Sequence, residues 1–440
     1  MDKKIFAAGD SILNEHGERL YELMESASYN DKYYVVRAVE LSQGRECLLK
    51  FAECEDDSYK LNNLSREGDF CFYHPFIEQV YGNFTGFAPT GEKIYGVALE
   101  FVHGTNLREY RMALEQKLVF DELDETEVEW TSFRQMMQFL YGMKYYTEYS
   151  SQIYLHRDIK PENVMITEAG DVVIVDFDFA HIAGSNRTMN LAGWDVAFSR
   201  GYTSPDIFLE RRITAWDITT DVYSAGRLFF FWLNGRAYFT EEQLEVQKNG
   251  QPASTVYCAD KKLGYGIETN KDRFKKKYLG AAYAKLREIL AKMCCNPDVS
   301  KPYEKVSDII ADMETFLLGL CDGSRKVLEE RLQFGLWRLL QERKYSDDRR
   351  FVLVAYKTPG EPKVGQPLYE NSIRDICYQG KLMFSICNFR NQITYIPAIE
   401  REIEARSGRE DYSVKDGDRI VCDGVPFVFT VVRNEGRIGV

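Results

Sequence analysis

Between residues 154 and 180, in the run YLHRDIKPENVMITEAGDVVIVDFDFA, the chain concentrates side chains able to handle phosphate and metal: His156, Arg157, Asp158, Lys160, Asn163 and Asp176. Asp158 and Asn163 lie five residues apart, with Lys160 and Pro161 stiffening the turn between them. Residues 164–166 read as a strand, so the amide returns beside the carboxylate. The apolar run Val172-Val173-Ile174-Val175 reads as a second strand and ends at Asp176, so the hairpin delivers another carboxylate to the same place. Two carboxylates and an amide are hard oxygen donors, suited to Mg²⁺ carrying phosphate.

At these residues the chain resembles the eukaryotic-type serine/threonine protein kinases. Residues 156–163 fit the pattern H-R-D-x-x-x-x-N at every fixed position, and Asp176-Phe177 fit the first two positions of D-F-G. The resemblance implies that Asp158 accepts or orients the proton of a substrate hydroxyl, that Lys160 stabilises charge on the moving phosphoryl group, and that Asn163 and Asp176 hold Mg²⁺. It implies ATP as the phosphoryl donor, and Lys160, two residues after the Asp, points to Ser or Thr as acceptor. The bland alternative is a buried polar hairpin without chemistry, and the number of fixed positions that fit speaks against it.

The elements upstream must cover the nucleotide. Strands are expected around residues 21–24, 33–36 and 47–50, the last two joined by a turn at Ser42-Gln43-Gly44. In the family the first hairpin carries a glycine loop whose amides cover the phosphates. Its three glycine positions fall here on Ser28, Asn30 and Tyr33, followed by Val35, and a Tyr at the third is expected to crowd the phosphates. Lys50, fifteen residues after Val35, matches the strand Lys that meets the α- and β-phosphates, while Leu48 stands where a small Ala normally admits adenine. Glu67 is the candidate partner of Lys50, an ordinary solvated Glu being the alternative. His74-Pro75-Phe76-Ile77 resembles the turn into the next strand, and residues 96–102 resemble the strand entering the hinge, with Leu99 as gatekeeper. Val35, Lys50, Glu67, Met165 and the backbone of Glu100 and Val102 thus form the implied ATP site. Asn106 sits at a helix-capping position. The acidic stretch 115–130 reads as a solvated face before a long helix over 132–149.

Downstream, Asp178 replaces the Gly of D-F-G and adds a carboxylate that either binds a further cation or holds the loop in one state. An activation segment over 176–206 ends in SRGYTSPD, similar to the stretch that closes with A-P-E. Ser199 aligns with the hydroxyl that touches the catalytic Asp and Lys. Ser185, Thr188 and Ser199 are candidate phosphorylation sites that Arg157 would answer, or plain loop hydroxyls. Asp221 opens DVYSAG, matching the buried helix whose Asp anchors the catalytic loop, and Asp206 with Lys301 stands where the family has a Glu–Arg tie. A helix over 324–343 places Leu332, Leu336, Leu339 and Leu340 on one face. Residues 350–440 turn β-rich, and the strand–Asp423-Gly424–strand pattern is a hairpin signal. It resembles the closing hairpin of forkhead-associated (FHA) domains, although the Gly-Arg and Ser-x-x-His motifs of that family are not placed on it.

The 440 residues, 45% of them apolar, can build two or three cores, and a net charge of −12 argues against a nucleic-acid surface or an anionic membrane as partner. The opening residues lack an apolar core of signal-peptide length, and the apolar run at 229–233 is too short to span a bilayer. Ten cysteines without CxxC spacing suggest reduced thiols in a cytoplasm. The expected fold is α+β: a bilobal kinase with a β-rich N-lobe (1–102) and helical C-lobe (103–322), then a linker helix (323–348) and a small β-sandwich-like, FHA-like domain (349–440). The expected function is phosphorylation of protein Ser/Thr, the protein itself included, with a further protein partner for the β-domain. Two alternatives stand beside it. The degenerate residues Ser28, Asn30, Tyr33, Leu48 and Asp178 fit a nucleotide-binding pseudokinase scaffold; a small-molecule kinase of the aminoglycoside phosphotransferase type also carries an Asp and Asn so arranged, but the Asp221 helix and Ser204-Pro205-Asp206 oppose it.

Overall fold

The computed structural model describes residues 6–30, 32–55, 58–70, 72, 74, 76–119, 124–149, 153–168, 170–182, 199, 201–205, 217–240, 266, 271–297, 299–332, 351–358, 364–369, 372–379, 381–389, 392–397, 403–404, 414 and 418–434. Seven antiparallel strands come first: β1 (Ser11–Leu13), β2 (Arg19–Leu23), β3 (Ser28–Tyr29), β4 (Tyr34–Glu40), β5 (Arg45–Glu53), β6 (Val80–Phe87) and β7 (Lys93–Glu100). They run in the order β2-β1-β6-β7-β5-β4-β3, and a further pairing of β2 with β4 closes the sheet on itself. The expected strands correspond to β2, β4 and β5. β1 was not anticipated, because three residues with one buried side chain, Ile12, give no periodic signal.

Alternation along β5 separates two jobs. Cys47, Leu49 and Phe51 pack with Tyr34, Val36 and Ala38 of β4 on one face, whereas Leu48 and Lys50 lie on the other with Val35, which stands directly across from Lys50. Over that second face lies helix α1 (Ser58–Gly68), whose Leu61 and Leu64 pack with Tyr33, Ala52, Val97 and Leu99.

After β7 the chain runs through β8 (Gly104–Asn106) into α2 (Leu107–Val119), capped as expected by the Asn106 side chain, which accepts the Glu109 amide at 3.0 Å. Helix α3 (Glu125–Lys144) starts earlier than expected. Asp124 accepts the amides of Thr126 and Glu127 at 2.6 and 3.1 Å, so part of the acidic stretch is a first helical turn, where the helix dipole favours negative charge. β9 (Tyr154–Leu155) pairs with β12 (His181–Ile182); between them β10 (Val164–Thr167) lies flanked by β8 and β11 (Val172–Ile174). Further on, the described residues form α4 (Ile218–Asn234), α5 (Ala284–Met293), α6 (Val306–Leu320) and α7 (Arg325–Leu332). Phe133 and Phe139 of α3, Phe229 and Trp232 of α4, Leu290 of α5 and Met313 of α6 share one core, so the aromatic stripe of α3 is packing. Of the helix expected over 324–343, Leu332 is buried at the end of α7, while Leu336, Leu339 and Leu340 lie outside the described residues.

Below the cleft, β8 approaches β10 so closely that a Cβ on Gly104 would sit 2.1 Å from the Ile166 carbonyl oxygen. Gly104→Ala should therefore push the strands apart and lower the melting temperature, at a cost of about 1–3 kcal/mol. Scanning calorimetry showing an unchanged melting temperature would contradict this close approach.

The C-terminal strands are β13 (Phe351–Lys357), β14 (Val364–Tyr369), β15 (Ser372–Tyr378), β16 (Lys381–Phe389), β17 (Gln392–Pro397), β18 (Ile403–Glu404), β19 (Arg419–Cys422) and β20 (Val425–Asn434). They form a five-stranded sheet, β14-β13-β20-β19-β18, and a three-stranded one, β15-β16-β17. Leu368, Ile376, Phe384, Ile393, Ile420 and Phe427 join both sheets in one apolar cluster. At the β19–β20 turn, Asp423 and Gly424 both take left-handed backbone, with φ of 49° and 75°, as the two-residue hairpin requires. Among the described residues no helix is long and apolar enough to cross a membrane.

Candidate active site

The loop before β10 hangs from a single carboxylate. Asp221, 1% exposed in the first turn of α4, accepts the amide of His156 at 2.6 Å and that of Arg157 at 3.0 Å. Burial raises the Asp221 carboxyl, and His156 and these two amides pull it back. The His156 ring, fully buried, meets the Val175 carbonyl through Nε2 at 3.1 Å and packs 4.6 Å from the Phe177 ring. Phe177 is wedged further against Phe72 and Tyr146, at 5.0 and 5.7 Å. With its neighbour anchored in the core, Asp176 projects into the cleft from a left-handed backbone, φ 64°; Arg157 shares that conformation at φ 69°. Such a backbone costs a non-glycine residue about 1–3 kcal/mol and concentrates at functional sites.

Asp158 is the hub of the loop. Its Oδ2 accepts from Lys160 Nζ at 2.5 Å and from Asn163 Nδ2 at 3.0 Å, and its Oδ1 accepts from the Ser199 hydroxyl. The Asn163 amide nitrogen also donates to the Asp158 carbonyl at 2.9 Å, which leaves Asn163 Oδ1 without a hydrogen bond among the described residues. Candidate phosphorylation residues Ser185 and Thr188 lie outside the described residues, as does Asp206; the described ion pair of Lys301 is with Glu304, at 3.2 Å.

On the opposite wall, Lys50 Nζ lies 3.0 Å from Glu67 Oε2, 3.0 Å from Asp176 Oδ1 and 3.9 Å from Asp178 Oδ1. Burial alone would lower the ammonium, but Asp176, Glu67 and Asp178 together hold it well above the ordinary lysine range. Glu67, 1% exposed, is an interior residue near the end of α1 and not a solvated one. Burial, opposed by Lys50, pushes its carboxyl up to about 7. The Lys50–Glu67 pair is therefore fully charged only above neutrality. Turnover per unit substrate should rise with pH to a plateau above about 7, and Glu67→Gln should erase that limb; a pH profile that keeps it would assign the limb elsewhere. The stability contribution of Glu67 runs the other way. A raised folded value favours the folded state below about 4.5, and this advantage fades as pH rises through about 7.

Of the implied nucleotide contacts, Val35 shares the cleft face with Lys50, and Met165 is half-buried on the face of β10 opposite its core residues Val164 and Ile166. Leu48 faces Leu99 across the strands. The backbone amide of Glu100 donates to the Gln79 carbonyl at 2.8 Å, and Val102 follows in the coil that joins β7 to β8. Pro75 of the HPFI turn lies outside the described residues, while His74, Phe76 and Ile77 are buried.

Tyr33, at 1% exposure, is packed among Ala52, Leu64, Val97 and Leu99 beneath α1, with Lys50 Nζ 5.1 Å from its ring centroid and its hydroxyl donating to Asp178 Oδ1 at 3.2 Å. Asp178 also receives Arg66 on its carbonyl at 2.8 Å, and its φ is not positive, so no glycine is needed there in this state. Sequence reasoning missed Arg66 and also Glu78. The buried Glu78 carboxylate accepts the Asp176 amide at 3.2 Å, and burial, with Glu67 next, raises it well above the carboxylate range. Its signal was a lone acid between the apolar Ile77 and Val80.

Residues 33–302, more than half of the chain, match the protein kinase domain family. The chain belongs to that family. The match begins at Tyr33, the third of the missing glycine positions, with Ser28 and Asn30 before it. Similar relatives include a G-type lectin S-receptor-like serine/threonine-protein kinase of Arabidopsis thaliana, 35% identical over 27% of this chain and 14% of its own. A probable serine/threonine-protein kinase PknB of Bifidobacterium longum is 29% identical over 34% of this chain and 19% of its own. A calmodulin-binding receptor-like cytoplasmic kinase of Arabidopsis thaliana is 27% identical over 52% of this chain and 42% of its own. The chain thus spans less than half the length of these curated relatives.

Proposed function

We propose that the protein transfers the γ-phosphoryl group of ATP to Ser or Thr hydroxyls of proteins, itself included. The observation that carries this is the pairing of two assembled walls: Lys50 on Glu67 and Asp176, and Asp158 meeting Lys160, Asn163 and a serine hydroxyl. The residues present fit Mg²⁺. Asn163 Oδ1 is left as a donor because its nitrogen is held by Asp158, and Asp176, whose Oδ1 meets Lys50, keeps its other oxygen at a side chain 39% exposed to the cleft. Phosphate oxygens and water would complete the six oxygen ligands of that cation. When bound, Mg²⁺ neutralises charge on the phosphates.

The protein's own part follows from its side chains. Lys50, held cationic by its acidic neighbours, anchors the phosphates, and Glu67 keeps it from collapsing onto Asp176 alone. Asp158 receives the proton of the acceptor hydroxyl as the hydroxyl oxygen bonds the γ-phosphorus and the γ-phosphorus parts from the β-phosphate oxygen, so that ADP leaves; the Ser199 hydroxyl on Oδ1 marks where an alcohol fits. Lys160 meets charge on the departing phosphoryl group. The two C-terminal sheets are read as an FHA-type module that engages a protein partner, supported by their shared cluster and closing hairpin. A cytoplasmic setting is supported by the free cysteines among the described residues.

Incubation with γ-³²P-labelled ATP and Mg²⁺, followed by acid hydrolysis, tests this reading. Label on phosphoserine or phosphothreonine is expected. Label on small metabolites alone, or binding of ATP without any transfer, would replace it with the metabolite-kinase or scaffold reading.

A further inference from the structure

The turn that covers the cleft has no glycines, and its described amides are already used. Asn30 N–H donates to the Tyr33 carbonyl at 3.1 Å. The Asn30 side-chain oxygen in turn accepts the amides of Tyr33 at 2.9 Å and Lys32 at 3.3 Å. This is an Asx-type closure in which a side chain holds the turn that glycines would otherwise shape. At residues 30, 32 and 33 it leaves no N–H to offer a phosphate.

A charged group lies beside these occupied amides. Lys32 Nζ is buried at the atom level and has no hydrogen-bond partner among the described residues. It stands 3.7 Å from Asp178 Oδ2, within ion-pair range but beyond a hydrogen bond, and 4.1 Å above the Phe179 ring. The other oxygen of Asp178 lies 3.9 Å from Lys50 Nζ, which is itself 3.0 Å from Asp176. One carboxylate thus joins the Lys of the roof to the Lys of the cleft wall. An ammonium that has given up water without gaining a hydrogen bond is poised for a stronger anion than the one it rests on.

Resting on the nucleotide reading above, we propose that Lys32 supplies the roof contact to the nucleotide's terminal phosphates in place of glycine-loop amides, with Asp178 holding it in reserve until the phosphates arrive. Tyr33, bonded to the same carboxylate, fixes the turn at the height from which Lys32 reaches. Asp178 in the glycine position and the loss of the loop glycines then become one compensated change.

The test is a pair of affinities, Mg²⁺·ATP and adenosine, measured by calorimetry on the full chain, its Lys32→Gln variant and its Lys32→Arg variant. Lys32 is partly exposed, so both variants should fold. Lys32→Gln should weaken ATP about tenfold and leave adenosine within about twofold, whereas Lys32→Arg should keep ATP within about threefold. Equal affinities for ATP in wild type and Lys32→Gln would overturn the proposal, and so would a parallel loss of ATP and adenosine, which would mean a collapsed roof. If wild type binds neither ligand, the kinase reading itself falls. If it binds both and Lys32→Gln fails to discriminate, only the role of Lys32 falls.

Discussion

Replacing Asp158 with Ala should lower the turnover number for ³²P transfer by about 10²–10⁴-fold, the range of a positioned general base. Affinity for Mg²⁺·ATP should change far less, because Asn163 keeps its bond to the backbone carbonyl of residue 158 and the Lys50–Asp176 pair is untouched. Asp158→Asn keeps the shape and most hydrogen-bonding capacity but not the proton acceptor, so it should be nearly as inactive and more stable than the Ala variant. Labelling of Asp158→Ala at the wild-type rate would remove Asp158 from the chemistry and with it the kinase mechanism derived above.

Lys50→Met should be the most damaging single change in the cleft. It would leave Glu67 and Asp176 without the ammonium between them, while Lys32 remains beside Asp178. Leaving a buried ion-pair partner uncompensated costs about 3–5 kcal/mol, and the phosphate anchor is lost with it, so transfer should fall to background. The signature is the pH dependence. Without Lys50, Glu67 and Asp176 are relieved chiefly by taking up protons, so the variant should be most destabilised above pH 7 and recover relative to wild type as the pH falls toward 5. Thermal melts that show the same deficit at both pH values would mean that Lys50 contributes by packing alone.

How much of this was legible varied with how local the cause is. The 156–163 loop and the Asp176 hairpin could be read because their residues meet through a few intervening positions, and β10 and β11 pair as their apolar runs indicate. Asn106 and the Asp423-Gly424 turn were equally local. The Asp124 cap that moved the start of α3 was missed because the charge run hid a helical first turn. The packing of Tyr33 was not legible, because α1, arriving from residues 58–68, provides Leu64 as a wall for its ring. Glu78 and Arg66 meet Asp176 and Asp178 over about a hundred residues of chain, a separation across which no periodicity in one sequence can signal.

The suspension of His156 and Arg157 from Asp221 has a mechanical consequence. Because the loop is tied to α4, it travels as a rigid body with the helical half of the molecule, while Lys50 and Glu67 travel with the sheet above. Any opening of the cleft would then change the span between Lys50 and Asp158 and leave the Asp158–Asn163 spacing, fixed within the loop, untouched.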